Sequence, residues 1–308
     1  MIELMSFEEF CELVRDESHC IRILFQAKWP HGFRCPRCAH PHASVTSTRR
    51  LPLYDCRACG KQTSLTVGTI MEGSRTPLRL WFQALFLHAQ PDDINAVQLS
   101  ERIGVTYKTS WLMCHKIRHA MRQAEDGQLL TGTVCMINAI YSEKFRASAE
   151  GHKQEQPVIV GASVGLCEEM SRIKIKKQPK TPRSRAPEIS DRDRFEEEWV
   201  DEEADVDLRW RLMRYRSGKL KRIFKTAENW LADLFRGIGS KHLQAYLEHF
   251  CYLWNRQAGM IFIELLIDCA TRSTITYPAL TGRPARASTF ARLPLFLPPT
   301  SHLQVELN

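Results

Sequence analysis

Four cysteines stand in two pairs, Cys35-Pro-Arg-Cys38 and Cys56-Arg-Ala-Cys59, with seventeen residues between them. Two residues between paired cysteines let one tight turn aim both sulfurs at one point. Two such turns can enclose a tetrahedral zinc ion with sulfur at about 2.3 Å. Cys35, Cys38, Cys56 and Cys59 are therefore the expected metal ligands, and structural Zn2+ the expected cofactor. Gly60 follows the second pair, where a positive φ is often needed. The other seven cysteines are scattered singly and read as small apolar residues. A disulfide framework fits less well, because the segment from Met1 to Ser6 is no secretory leader and no apolar run approaches the roughly 18 residues of a membrane span. The expected compartment is the reducing cytoplasm, with no membrane partner.

A second group of residues could contact a polyanion. From Thr106 to Arg122 there is no acidic residue, while Lys108, Lys116, Arg118 and Arg122 are basic. Lys108, Thr109 and Ser110 stand where a recognition helix begins. The expected DNA-contacting set is Lys108, Thr109, Ser110, Lys116, Arg118 and Arg122, and the expected partner is double-stranded DNA. The chain as a whole carries a formal charge of +8 and a pI near 9.0 over 308 residues. Charge of that size agrees with a polyanionic partner but does not identify one.

These residues need elements to position them. Ser6 to Glu9 is a capping-box pattern opening a helix through Phe10 and Val14. A second helix is expected over 20–29, ended by Pro30 and Gly32. Both should pack on the small ribbon, whose spacer 43–50 reads as a strand and a turn. Thr76-Pro77 starts an apolar helix to about Ala89, with Pro77 at its first position. Asn95 to Ile103 is a short helix, Gly104 a turn, Thr106 a cap, and a longer helix follows. That is the helix-turn-helix pattern, with Trp111, Cys114, Ile117 and Met121 on its buried face. After Gly127 the period changes, and 130–141, 157–166 and 170–176 read as strands. Residues 177–205 are a charge-segregated tract, a loop followed by an exposed helix. Helices return over 227–235, 241–258 (capped by Ser240) and 260–270. Pro278 and the Gly282 region end the ordered part, and a Pro-rich tail follows.

The sequence of ribbon, helix-turn-helix and strands resembles the zinc-ribbon insertion-sequence transposases of the ISXO-like group. The matching stretches are 29–38, 68–82, 103–111, 115–118, 241–256 and 275–277. The likeness covers about 7–145 and 224–280. It implies a multidomain α+β chain: N-terminal helices and zinc ribbon (1–66), helical DNA-binding region (67–128), RNase H-like domain (129–280, charged insertion about 177–205) and tail (281–308). It also implies DNA strand transfer by two divalent ions, Mg2+ or Mn2+, held by converging carboxylates.

In the family an acidic pair follows a Gly-Thr-Val-like start. Here Gly132-Thr-Val leads to Ile137 and Asn138. Ile cannot ligate a metal, and Asn138 offers one neutral carbonyl. The remaining catalytic candidates by resemblance are Asp207 or Asp205, and Glu228 or Asn229; Asp207 and Glu228 read better as surface carboxylates. The expectation is a DNA-binding half that is intact and a catalytic site that is degraded. The alternatives are a repurposed DNA-binding regulator without nuclease activity, and a zinc-ribbon component of a nucleoprotein assembly. A homo-oligomer is compatible with each.

Overall fold

In the computed structural model the described residues are 5–142, 155–165, 169–180, 187–206 and 214–282. The chain divides into two compact units, 1–275 and 276–308. In the second unit the described part is one short helix, α10 (Tyr277–Thr281), capped by Thr276, with Pro278 in its first turn. Pro278 thus begins an element rather than ending the ordered chain, since a proline fits the first turn of a helix.

The first unit opens with α1 (Phe7–Leu13) and α2 (Glu17–Lys28). Ser6 and Glu9 form the reciprocal capping box, and Asp16 caps α2 three residues earlier than the apolar pattern indicated. The ribbon follows as an antiparallel sheet, β1 (Ala43–Thr46), β2 (Leu53–Cys56) and β3 (Gln62–Ser64), in sequence order. Then come α3 (Leu78–His88), α4 (Ala96–Ile103) and α5 (Tyr107–Glu125). Pro77 is the cap of α3, not its first residue. Asn95 accepts from the amides of Val97 and Gln98, Gly104 takes φ 67°, and Thr106 caps α5. Only a residue without a Cβ adopts that turn without strain.

The strand-rich part holds β4 (Thr133–Tyr141), β5 (Gln156–Val164), β6 (Met170–Lys177), α6 (Ile189–Trp199), β7 (Asp205–Val206), α7 (Arg214–Phe235), α8 (Leu243–Asn255) and α9 (Ile261–Thr271). Its sheet runs β6-β5-β4-β7, antiparallel except for the parallel β4–β7 pair. One face buries Val134, Met136 and Ile159 with Phe195 of α6. The other buries Cys135, Ile137, Val160 and Ile175 against α7 and α8. Helix α8 starts at Leu243 with His242 as cap and no side-chain cap bond. Ser240 instead donates to Gln156 Oε1 at 2.7 Å, so it ties the helix entrance to β5 rather than capping it.

The cores do not follow the expected division after residue 128. Phe262, Leu265, Leu266, Cys269 and Ala270 of α9 belong to the same apolar cluster as Phe10, Leu24, Phe86 and Ile117. Phe262 meets Phe10 edge-on at 5.1 Å, and the Ile70 amide donates to the Cys269 carbonyl at 3.0 Å. Helix α9 is therefore part of the N-terminal core.

Candidate metal centre, helix surface and sheet site

The two cysteine turns are built alike. In the first, the Cys35 amide donates to the His40 carbonyl at 3.1 Å and the Ala39 amide to the Cys35 carbonyl at 2.8 Å. In the second, the Cys56 amide donates to Lys61 at 3.1 Å and the Gly60 amide to Cys56 at 3.0 Å. Each turn closes through a left-handed residue, Ala39 at φ 57° and Gly60 at φ 64°. Trp29, Phe33, Tyr54 and Phe25 pack ring on ring beneath the ribbon and fix its base.

All four sulfurs lie within 4.8 Å of one another. Cys35 Sγ to Cys59 Sγ and Cys38 Sγ to Cys56 Sγ are both 3.6 Å. A tetrahedron of sulfurs at 2.3 Å from zinc has edges of about 3.8 Å, whereas a disulfide needs about 2.05 Å. The donor set therefore fits zinc. Electrostatics agree. Burial opposes the Cys35 thiolate, yet the Arg37 and Cys38 amides and the neighbouring thiols outweigh it and lower the pKa to about 6. For Cys38 the His40 amide favours the thiolate, but the surrounding sulfurs and burial push the pKa up to about 12. Four thiolates in this volume need a cation among them.

Helix α5 divides the six expected DNA contacts. Lys108 is exposed and Thr109 half-buried at its N-terminal end, beside Tyr107, which is 56% exposed. Arg122 is exposed near its C-terminal end, 3.5 Å from Glu248. The other three turn inward. Ser110 is buried and donates to the carbonyls of Ala96 and Tyr107, which clamps α4 to α5. Lys116 is 6% exposed and donates to the Glu72 carbonyl at 3.1 Å. Burial lowers its pKa, partly offset by Glu72.

Arg118 is 1% exposed. Its guanidinium lies 4.1 Å from the centre of Tyr246 and 5.2 Å from that of Phe235, and Nε donates to His249 Nδ1 at 3.3 Å. His249 Nε2 faces Asp93 at 3.5 Å. Ser110, Lys116 and Arg118 are thus corrected from surface contacts to internal ones. The reason is that α3, α4, α8 and α9 pack around most of α5, which the absence of acidic residues does not reveal. Tyr107 and the Asp93–His249–Arg118 network were not anticipated. An aromatic at the first helical position was the available signal for Tyr107; nothing local marks the network.

The expected catalytic residues are spread over the sheet. Ile137 is 2% exposed and sits on the face of β4 covered by α7, with Cys135 and Tyr141. Asn138 has the opposite parity, the face of Val134 and Met136, and donates to the Pro187 carbonyl at 3.3 Å. Glu228 lies on α7, on the Ile137 side. Its carboxylate is 18% exposed and 3.4 Å from Lys225. Burial raises its pKa, with Lys225 and the Ser142 amide pulling the other way. Glu228 is therefore not the surface carboxylate expected from sequence, and Asn138 does not share its face. Asp205 pairs with Thr133, four residues and about 13 Å along β4 from Ile137. Asn229 is exposed on α7, and Asp207 lies outside the described residues. The side chains present at 137 and 138 do not fit a pair of divalent ions.

Comparison with known proteins adds two findings. Residues 15–62 match the family described as a transposase zinc-ribbon domain. Over 142 residues the chain is 28% identical to an uncharacterized protein in transposable element ISH50 of Halobacterium salinarum, a stretch covering 46% of each chain. The match thus spans about half the length of that relative. No solved structure matches the chain. The two matches support an insertion-sequence transposase-like chain, and the four clustered cysteines within the matched region suggest structural zinc. Among the described residues no helix is long and apolar enough to cross a membrane.

Proposed function

We propose that this chain is a DNA-binding, transposase-like protein of an insertion sequence of the ISXO-like group that engages double-stranded DNA but no longer cuts it. Zinc on Cys35, Cys38, Cys56 and Cys59 holds the ribbon together. Helix α5 presents Lys108, Thr109 and Tyr107 at its N-terminal end, where backbone amides and a partial positive charge favour phosphate. Gly104 and the Ser110 bond to Ala96 set the angle between α4 and α5, as a helix-turn-helix requires.

The sheet order, with three antiparallel strands and a parallel fourth beside the first, supports an RNase H-like reading of the second half. Two-metal cleavage in such a domain needs carboxylates converging on both ions. The single observation that carries the loss of cleavage is the register of β4. Its α7-facing positions are Cys135, Ile137 and Ala139, so the strand opposite Glu228 offers no carboxylate. A chain of this kind acts by occupying its DNA site, and Mg2+ or Mn2+ has no role in it.

The test is incubation of the purified protein with the element's own DNA ends and manganese. Binding without nicking is the expected result. Nicking that disappears in Asp207→Ala would overturn the loss of cleavage. Failure to bind any duplex would overturn the DNA-binding reading itself.

A further inference from the structure

A cavity of about 600 Å³ opens between the end of β6, α6, α8 and the C-terminal end of α5. Its cations are Arg122, Lys176, Lys177, Lys180 and Arg194, and they face two carboxylates, Glu198 and Glu248. Lys176 Nζ lies 3.0 Å from Glu248 Oε1 and 3.4 Å from the centre of the Trp199 ring. Arg122 shares the same carboxylate at 3.5 Å. Glu248 thus serves two cations at once. Lys177 Nζ meets the Ser240 carbonyl at 3.0 Å rather than an acid. Arg194 reaches Asp191 Oδ1 at 2.8 Å and Gln178 Oε1 at 3.0 Å.

Strand β6 explains why the charge is there. Its odd-numbered positions Ile173 and Ile175 fill the α7–α8 core. Its even positions Arg172, Lys174 and Lys176 put cations on the other face; Lys176 lines the cavity, while Arg172 and Lys174 are held at Glu125. A concave site with excess positive charge and low-dielectric walls concentrates anions.

The cavity also has a telling position. Lys177 pairs with Val158, and Gln156 with Tyr141. The cavity therefore lies at the end of the sheet where β4 finishes. Arg122 on its rim is fourteen residues from Lys108, about 21 Å along α5. That is about six base pairs at 3.4 Å each.

We infer that this cavity holds a backbone phosphate of the same nucleic acid that the N-terminal end of α5 contacts. The inference rests on the DNA-binding part of the proposed function. It adds a second, separate point of attachment and needs no cleavage.

The experiment follows Trp199 emission and duplex affinity in the full-length zinc-loaded protein. The probes are a 20-base-pair duplex, a nucleoside triphosphate and inorganic tripolyphosphate. Expected are a duplex-induced emission change that is smaller in Trp199→Phe, the lost part being competed by tripolyphosphate, and a lower duplex affinity in both Lys177→Gln and Arg122→Gln. Each variant should also reduce the salt slope of binding by about one at unchanged zinc content. Arg122→Gln, at the exposed rim, keeps the test informative if Lys177→Gln unfolds. Full affinity in both variants overturns the cavity assignment and leaves the DNA-binding reading standing. Emission changes with the small phosphates that duplex does not compete overturn the nucleic-acid source. Loss of duplex binding in the wild-type protein overturns both.

Discussion

Replacing Arg118 by Met separates an internal role from a surface one. The two side chains are close in length, so packing against Tyr246 and Phe235 is largely kept. What is lost is the bond to His249 Nδ1, the cation over Tyr246, and the positive charge nearest the fully buried Asp93. Breaking a buried pair by removing one partner costs about 3–5 kcal/mol; about 2 kcal/mol of that range corresponds to a desolvated cation over an aromatic ring. The loss should depend on pH. Burial raises the Asp93 pKa to about 7, with Arg118 and the Ile94 amide pulling it down. A folded pKa above the unfolded one means that the associated stability is full at low pH and is lost as pH rises through about 7. Arg118 limits that loss by favouring the ionised carboxylate. The other groups facing it stay neutral from pH 5 to 8. Burial holds His88 and His249 well below their usual values, and holds Cys114 and Tyr246 above theirs. Urea unfolding should therefore show the full deficit at pH 8 and a smaller one at pH 5. Lys108→Gln is the contrast, with stability within about 0.5 kcal/mol of wild type and a salt slope of duplex binding lower by about one. An Arg118→Met protein of unchanged stability with weakened duplex binding would refute the buried placement, and an equal deficit at both pH values would refute the Asp93 coupling.

Three other outcomes follow from the geometry. Cys56→Ser should lower bound zinc from one per chain and make the ribbon protease-sensitive, as measured by metal analysis and limited digestion. Gly161→Ala places a Cβ 2.8 Å from Leu130 Cδ1 and 2.9 Å from the Phe195 ring. That overpacking should cost about 1–3 kcal/mol in urea unfolding, and Phe195→Leu should relieve part of it. Ala39→Gly, at φ 57°, should stabilise the zinc-loaded ribbon by about 1 kcal/mol, read as slower zinc release to a chelator.

The ribbon and the α4–Gly104–α5 turn were legible because their signals are local. A Cys-x-x-Cys turn, a capping Thr106 and a left-handed glycine each work within about five residues. The three long strands were legible for the same reason, through the change of period after Gly127. What failed depended on neighbours distant in sequence. Arg118 read as a DNA contact until α8, more than 120 residues away, supplied His249 and Tyr246, and Lys116 read as one until the Glu72 carbonyl met it. Glu228 looked like a surface acid until the end of β4 packed beside it. Ser240 had the chemistry of a cap but was taken by Gln156. Charge on one element says where solvent could be, and only packing says where it is.

The return of α9 into the N-terminal core limits how such a gene can decay. A chain cut after α5 would leave Phe10, Phe86 and Ile70 without Phe262 and Cys269, and the N-terminal end of α5 would have no finished core to stand on. A stop codon between α5 and α9 therefore takes part of the N-terminal core with it, not just the second half. Single substitutions inside the sheet, such as an apolar residue at 137, leave that closure untouched. On the proposed reading, a copy that still binds DNA must keep α9, and its cleavage is lost by replacement rather than by shortening before that helix.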